Sequence, residues 1–409
     1  MKCRFCGEPL AHVFIDLLHA PPSNAFLTRE QLDEPETYYP LKLYVCHACF
    51  LVQIEEYKKA GEIFDAGYVY HSSFSSTWLD HARRYALMMI GRFGYGPNSR
   101  VVEIASNDGY LLQYFKEKCI PVLGIEPSAG TAAEAEKKGI ETRIDFFGRR
   151  LALELARQGW QADLLIGNNV LAHVPDLNDF VAGLKIALKP DGVITLEFPH
   201  LMQLIDHCQF DSIYHEHFSY LSFLTVRDVF RRHGLALFDV EEIPTHGGSL
   251  RIFAHHAEDR ARETSAHVQA LEEKERSRGM RDPAFYLGFQ QNAERVRYQL
   301  LRFLLRQKAG AKKVAAYGAA AKGNTLFNFC GVRTDLVAFV VDASPFKQGK
   351  FLPGSHIPVV TEAELRAYRP DYVLVLPWNL RDEIMAQLDY IRAWGGRFVI
   401  PIPQVEVLA

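Results

Sequence analysis

No stretch of the 409 residues stays apolar long enough to span a membrane. No run of one charge sign marks a nucleic-acid arm or a membrane-surface patch, and the formal net charge is only −3. Nucleic acid and lipid are therefore not expected as partners, which leaves a small molecule. The opening MKCRFCGEPL lacks the basic-then-apolar layout of a secretory leader, so a cytoplasmic protein is expected. Cysteine is scarce, seven in all, and unevenly placed: Cys119, Cys208 and Cys330 are scattered, whereas Cys3, Cys6, Cys46 and Cys49 form two C-x-x-C pairs. In a reducing compartment four thiols so paired read as metal ligands, not disulfides.

What is present is enough for a sizeable core. Hydrophobic residues make up 48% and aromatics 12%, which excludes a disordered chain. The length exceeds what one core supports, so two or three domains are expected. CRFC and CHAC can each grip one side of a tetrahedral Zn²⁺ in a ribbon-like module over 1–70. The gap between them is long for a ribbon and predicts an insertion, turning at Pro21–Pro22, that loops out. A four-thiolate site has no open position for substrate, which assigns the ion to folding and placement.

Residues 71–256 alternate strand and helix signals. SRVVEIAS, IPVLGIEPS, ADLLIGNNV and GVITLEFPH read as buried strands ending in polar residues, the grammar of a doubly wound α/β domain. An amphipathic helix precedes them, with Ser76 or Thr77 as its cap. Just before it, Tyr68, Tyr70 and His71 are more numerous than a connector requires, and the two tyrosines join the catalytic candidates. Residues 257–310 read as a helical bridge broken near Asp282–Pro283. Residues 311–409 restart the grammar with KKVAAYGAAAKGNT, LVAFVVDASP, DYVLVLPWN and GRFVIPIP, a smaller Rossmann-like α/β unit.

In VVEIASNDGYLL the strand ends near Glu103, and Ala105, Asn107 and Gly109 stand where a G-x-G-x-G loop has glycines; small residues and asparagine suit left-handed backbone there. The next strand ends in Glu126-Pro127, an acceptor for a ribose diol. Either a dinucleotide or S-adenosylmethionine would fit that pair. Glu103 and Asp108, flanking Ser106, disfavour a pyrophosphate and suit a cationic amino-acid moiety. Asp145 and Phe146 offer an acceptor and an aromatic face for adenine. IGNNVLAHVPD, with Asn168 and Asn169, followed by LKPDGVITLEFP, looks like the fourth and fifth strand regions of class I methyltransferases. S-adenosylmethionine is the cofactor expected, a nicotinamide-dependent sugar oxidoreductase being the alternative.

SIYHEHFSYLS, residues 212–222, admits a metal pair, a proton-transfer apparatus or a polar core strand. Were it a strand, His215 and His217 would share one face and Tyr214 and Glu216 the other. A lone strand histidine is ordinarily hydrogen-bonded core, and His215 is read so. The same holds for His246 in THGGSLR, but its glycines signal close backbone approach, and it stands among the substrate-binding candidates.

With CRFC…CHAC, YVYHSS, EIASNDGYLL, GIEPS, NNVLAHV, YHEHFSYLS, THGGSLRIF and GAAAKGNTLFNF in order, the chain resembles the nucleotide-sugar C-methyltransferases acting on 4-keto-6-deoxysugars. That family includes the 3'-C-methyltransferase of tetronitrose biosynthesis. The resemblance spans nearly the whole chain and implies a structural zinc module, a central S-adenosylmethionine domain and a C-terminal domain clamping a nucleotide sugar, a dTDP- or GDP-linked ketosugar; a monomer is expected. It further implies that His217, the last histidine of Y-x-E-H, removes an α-proton, that Glu216 and Tyr214 lie beside it, and that His173 steadies the enolate oxygen. GAAAKGNT departs from the ATPase phosphate loop because Lys322 precedes the glycine. Gly318 through Asn324, with Lys322, Gly323 and Asn324 foremost, are expected instead to meet a diphosphate at a helix N-terminus.

Overall fold

The computed structural model describes residues 1–63 and 71–408; Tyr68 and Tyr70 lie outside the described residues. Each C-x-x-C folds as a tight knuckle: Gly7 N donates to the Cys3 carbonyl and Phe50 N to the Cys46 carbonyl, both at 2.9 Å. The residue after each second cysteine, Gly7 (φ 83°) or Phe50 (φ 61°), turns left-handed so that both thiols point inward. Between and beyond the knuckles run β1 (His12–Ala20), β2 (Tyr39–Val45) and β3 (Val52–Ile54), an antiparallel meander.

The central domain is built on β4 (Val101–Ile104), β5 (Val122–Ile125), β6 (Thr142–Arg143), β7 (Ala162–Asn168) and β8 (Leu188–Pro199), all parallel, with β4, β5, β7 and β8 falling on the four runs the sequence marks as strands. Past a short β9 (Ser219–Tyr220) follow β10 (Leu235–Ile243) and β11 (Ser249–His256), which add antiparallel to β8. The seven-stranded order is β10-β11-β8-β7-β4-β5-β6. The chain reverses its winding at β4, and the crevice beyond the carboxyl ends of β4 and β7 is where such sheets bind ligands. The helix Ser76–Phe93 packs nearby, capped by Ser75, whose side chain accepts from Trp78 N at 3.2 Å, one residue before the expected cap.

β9 leaves this sheet and pairs with β3, completing the four-stranded sheet β1-β2-β3-β9. The bridge breaks where Asp282 accepts from Ala284 N at 2.9 Å. Beyond it, the helix Phe289–Ala309 buries Phe289, Ala293, Val296, Leu300 and Leu304, a stripe at helical spacing. The C-terminal unit has β12 (Val314–Tyr317), β13 (Val340–Val341), β14 (Val359–Val360), β15 (Tyr372–Val375), β16 (Arg397–Ile400) and β17 (Glu406–Leu408), ordered β14-β13-β12-β15-β16-β17 with only β17 antiparallel. One continuous apolar cluster joins β1 and β2 to the 289–309 helix, to the 201–220 segment and to the C-terminal sheet, so the three parts share a core.

Candidate active site

The loop after β4 has the conformation its small residues permit. Ala105 (φ 56°), Asn107 (φ 49°) and Gly109 (φ 73°) are all left-handed. A Cβ on Gly109 would lie 2.5 Å from Ile140 Cδ1, so only glycine fits. Glu126 braces this loop: one carboxylate oxygen accepts from Asn107 N at 3.0 Å and the other from Ser128 N at 2.9 Å, and Pro127 lies between these contacts. A carboxylate oxygen accepts more than one donor, so a ribose remains compatible. Burial pushes the Glu103 carboxyl well above the usual carboxylate range, with the Tyr110 hydroxyl opposing; burial thus opposes the charge expected on Glu103. Asp108 accepts from Ser73 N at 3.1 Å through one oxygen. Its other oxygen, Ser106 Oγ and both side-chain atoms of Asn168 are buried with no partner among the described residues. Unpaired acceptors and donors around an acidic loop at the β4–β7 crevice fit the amino-acid and adenosine parts of S-adenosylmethionine. Asp145 accepts from Arg150 at 2.5 Å, and Phe146 is exposed, whereas its neighbour Phe147 packs on Phe180.

The YHEH segment is not a strand. His217 N donates to the Tyr214 carbonyl at 3.0 Å, closing a turn, and Phe218 N donates to the Ala172 carbonyl at 2.7 Å. The alternation of faces therefore fails: Tyr214 and His217 come together, ring centroids 4.0 Å apart, while His215 is buried against Tyr39. His173 meets His217 edge-on at 4.6 Å. His217 Nδ1 lies 3.1 Å from the Ser212 carbonyl, an obligate acceptor, so Nδ1 carries the proton and Nε2 keeps its lone pair. Burial, then the neighbouring His173, hold the His217 ring well below the usual imidazole range. Burial brings His173 and His246 each down to about 4. The Glu216 carboxyl is taken by Asn24: both of its oxygens accept from Asn24 Nδ2, at 2.8 and 2.9 Å, and burial raises its carboxyl to about 7.

The C-terminal unit closes over this turn. Trp378 Nε1 donates to Asp211 Oδ2 at 2.7 Å, and Lys322 Nζ sits 4.3 Å above the Trp378 ring. Lys322 is desolvated, which lowers it, and its charge reaches both His217 and His246. His246 Nε2 lies 3.1 Å from Asn169 Nδ2. A Cβ on Gly247 would fall 2.4 Å from the Trp378 ring, the close backbone approach that the THGG glycines signal. Gly323 and Asn324 also have packing roles: Gly323 admits Leu376, and Asn324 Nδ2 donates to the Ser23 carbonyl at 2.6 Å. A cavity of about 930 Å³ lined by Arg149, Leu188, His233 and His256 lies elsewhere and shares no residue with this cluster.

The metal reading meets its own geometric test. The sulfurs of Cys3, Cys6, Cys46 and Cys49 all lie within 4.8 Å of one another. Zn–S bonds of ~2.3 Å in a tetrahedron put sulfurs ~3.8 Å apart, so the four thiols fit Zn²⁺ with little movement. The insertion between the knuckles does not loop out. Leu27 and Phe351 exchange backbone hydrogen bonds at 3.0 and 2.9 Å, and Glu36 accepts from Gly354 N at 2.8 Å, which straps it to the C-terminal unit.

Four residues went unread in the sequence. Trp78 stacks on His81 and lies 5.9 Å from Tyr110 and 5.3 Å from His246, between the cofactor loop and the histidines. Asp211, Trp378 and Asn24 complete the set. The only signal for the tryptophans is position, one near a helix start after a polar aromatic stretch and one just past a strand's carboxyl end. Asp211 and Asn24 carry no local signal at all.

Family models match three successive parts of the chain: a zinc binding domain over 3–64, a methyltransferase domain over 78–240, and the C-methyltransferase C-terminal domain over 244–403. The C-methyltransferase NovU of Streptomyces niveus is 34% identical over 408 residues, covering 100% of this chain and 97% of that protein. Among solved structures, an S-adenosylmethionine-dependent methyltransferase from Anabaena variabilis aligns at TM-score 0.37 and 14% identity, over 44% of this chain and 86% of its own. Magnesium protoporphyrin IX methyltransferase from Synechocystis, with bound S-adenosylmethionine, aligns at TM-score 0.32 and 16% identity, over 44% and 77%. Those two likenesses are too slight to bear on function.

Proposed function

The chain belongs to the C-methyltransferase family and depends on S-adenosylmethionine; from that premise we propose that it methylates a nucleotide-linked 4-keto-6-deoxysugar at C-3', beside the ketone. A carbon accepts an electrophilic methyl only as a nucleophile. A neighbouring ketone makes that possible, because loss of the α-proton leaves an enolate. The observation that carries the reading is the state of His217: Nδ1–H is fixed on the Ser212 carbonyl, so Nε2 presents a lone pair from a ring that burial keeps uncharged. Such a group takes a proton from carbon without first having to lose one.

The remaining residues are assigned around that step. His173 and Tyr214, whose rings flank His217, face the enolate oxygen and the sugar, and Glu216 orients the site from behind. Lys322 supplies positive charge to the anionic part of the substrate, and His246, tied to Asn169, closes the wall. S-adenosylmethionine, when bound, supplies a methyl carbon on a sulfonium. Glu103, Ser106, Asn107, Asp108, Gly109, Glu126, Pro127, Asn168 and Asn169 hold it, with Asp145 and Phe146 toward adenine. Catalysis is then largely alignment of that methyl with the sugar carbon.

The test is incubation of the protein with S-adenosylmethionine and a panel of dTDP- and GDP-linked 4-keto sugars in heavy water. The expected product has gained one methyl at C-3', with solvent deuterium entering only at carbons next to the ketone. Methylation at C-5', the other such carbon, would correct the position. No methylated product from any keto sugar, or turnover with a nicotinamide cofactor instead, would overturn the reading.

A further inference from the structure

The Pro21–Pro22 turn belongs to the zinc-bearing module by sequence, yet in space it lies between the other two parts of the molecule. Pro21 is buried, and a Cβ on Gly354 of the C-terminal unit would lie 2.9 Å from its ring. The next residue but one, Ser23, is 4% exposed and gives its carbonyl to Asn324, two residues after Lys322 on the same helix. Asn24 follows, and one side-chain nitrogen donates to both oxygens of Glu216. Glu216 is 4% exposed, and its backbone in turn hydrogen-bonds His173. A carboxyl group so enclosed has few ways to meet its hydrogen-bonding needs, and removing a donor leaves it unpaired in a dry site. The two residues after the turn, Ser23 and Asn24, therefore touch the helix that carries Lys322 on one side and Glu216, with His173 behind it, on the other.

We propose that Asn24 is a positioning residue for the reaction: its amide fixes the Glu216 carboxyl and, through it, the His173–His217 pair. This rests on the reading that the 214–217 turn is where the sugar reacts. Among the described residues Lys58 is the charged side chain that acts on Glu216 from outside the turn, and His173 reaches it from the 3₁₀ turn Leu171–His173; His217 is the next residue along. Asn24 does not touch His217 and is not proposed to meet the reacting carbon. Its effect is expected on the rate of the step, with little effect on substrate capture.

The experiment compares wild type, Asn24→Ala, Asn24→Asp, Asn24→Ser and His217→Asn with S-adenosylmethionine and whichever keto sugar the wild type methylates. Zinc content and melting temperature are recorded for each, and kcat and KM are measured from pH 5.5 to 9. Loss of a hydrogen bond to a charged group predicts that Asn24→Ala lowers kcat about 10- to 100-fold, with KM within about threefold. Asn24→Ser, which keeps one donor, should recover part of that loss. Asn24→Asp is the same size and should fold. It faces Glu216 with a second carboxyl, so it can donate only when the pair shares a proton, and its kcat should rise as pH falls from 8 to 6. Asn24→Ala within twofold of wild type, or Asn24→Asp with no gain toward acid, would overturn the proposal while His217→Asn stays inactive. Wild-type activity in His217→Asn would instead remove the site reading beneath it.

Discussion

A histidine that takes a proton from carbon must reach the reaction without one. Free imidazole is already partly protonated near pH 6.5, and burial together with the neighbouring His173, His246 and Lys322 moves His217 away from that state. Burial is the largest, followed by His173, while the Ser212 carbonyl pulls the other way. The folded value lies below the ordinary one, so the ring stays neutral through pH 7 and gains a proton only as pH falls past 6.5. The acid limb of kcat due to His217 is therefore expected below pH 6.5. Glu216, raised to about 7 by burial, would add a separate limb near neutrality that disappears in Glu216→Gln. Replacing the ring by His217→Asn should lower kcat about 10²- to 10⁴-fold, the usual share of a general base. S-adenosylmethionine affinity, measured by calorimetry, should not change. A single acid limb at 6.5 that survives Glu216→Gln would mean that burial does not tune this ring.

Elements set these residues in place, and here the sequence was partly legible. The four runs ending in Glu103, Glu126, Asn168 and His200 were readable as strands because fully buried parallel strands are continuous apolar stretches. The loop after β4 was readable too, since left-handed backbone at alternating positions leaves a trace of small residues and asparagine. The 212–222 segment was not. Its aromatic and hydroxyl residues have strand propensity, but Phe218 is held by Ala172 and Ile213 by Thr325, and only Ser219–Tyr220 pairs as a strand. Two distant elements outweigh local preference over 213–218, and no window of sequence contains them. The bridge was likewise underread. Glu275, 0% exposed, accepts from His200 Nε2 at 2.7 Å and from Phe223 N and Leu224 N at 2.7 and 2.9 Å. It caps the helix Phe223–Arg232, which starts shortly after the 214–217 turn. Removing its carboxylate strands three buried donors, so Glu275→Ala should cost about 3–5 kcal/mol, read as a fall in denaturant midpoint at constant slope. Glu275→Gln, which keeps one acceptor, should lose less. Equal stability of both variants and wild type would show the cap to be idle.

At the scale of the whole molecule the zinc module is a wall of the proposed reaction site more than an appendage. β3 pairs with β9, so Tyr220 is held opposite Val52, just after His217 in the chain. Ile54 N donates to the Phe218 carbonyl at 3.2 Å. Around the knuckles, Asn178 Nδ2 donates to the Arg4 and Phe5 carbonyls at 3.0 Å each, Thr225 Oγ1 to the Cys49 carbonyl at 3.1 Å, and Gln53 Nε2 to Cys3 Sγ at 3.2 Å. The four thiols that would hold the ion thus lie behind β3, and β3 lies behind the 214–217 turn. Without the ion, four buried or half-buried thiols have no common partner and the knuckles lose their closure. Among the described residues the cofactor loop after β4 makes none of these hydrogen bonds, and the knuckles meet β4 only through the apolar cluster that Cys3, Cys46 and Cys49 share with Val102 and Ile104. Zinc removal should therefore separate two properties that a general unfolding would lose together. With the metal stripped by a chelator, or in Cys49→Ser, methyl transfer should fall at least about 10²-fold, in line with the loss of a positioned general base. S-adenosylmethionine affinity should remain within about threefold, and Zn²⁺ added back to the stripped wild type should restore transfer. Metal-free protein that transfers methyl at the wild-type rate would mean that β9 holds its place without β3. Parallel loss of cofactor affinity would mean that the ion supports the central sheet as a whole.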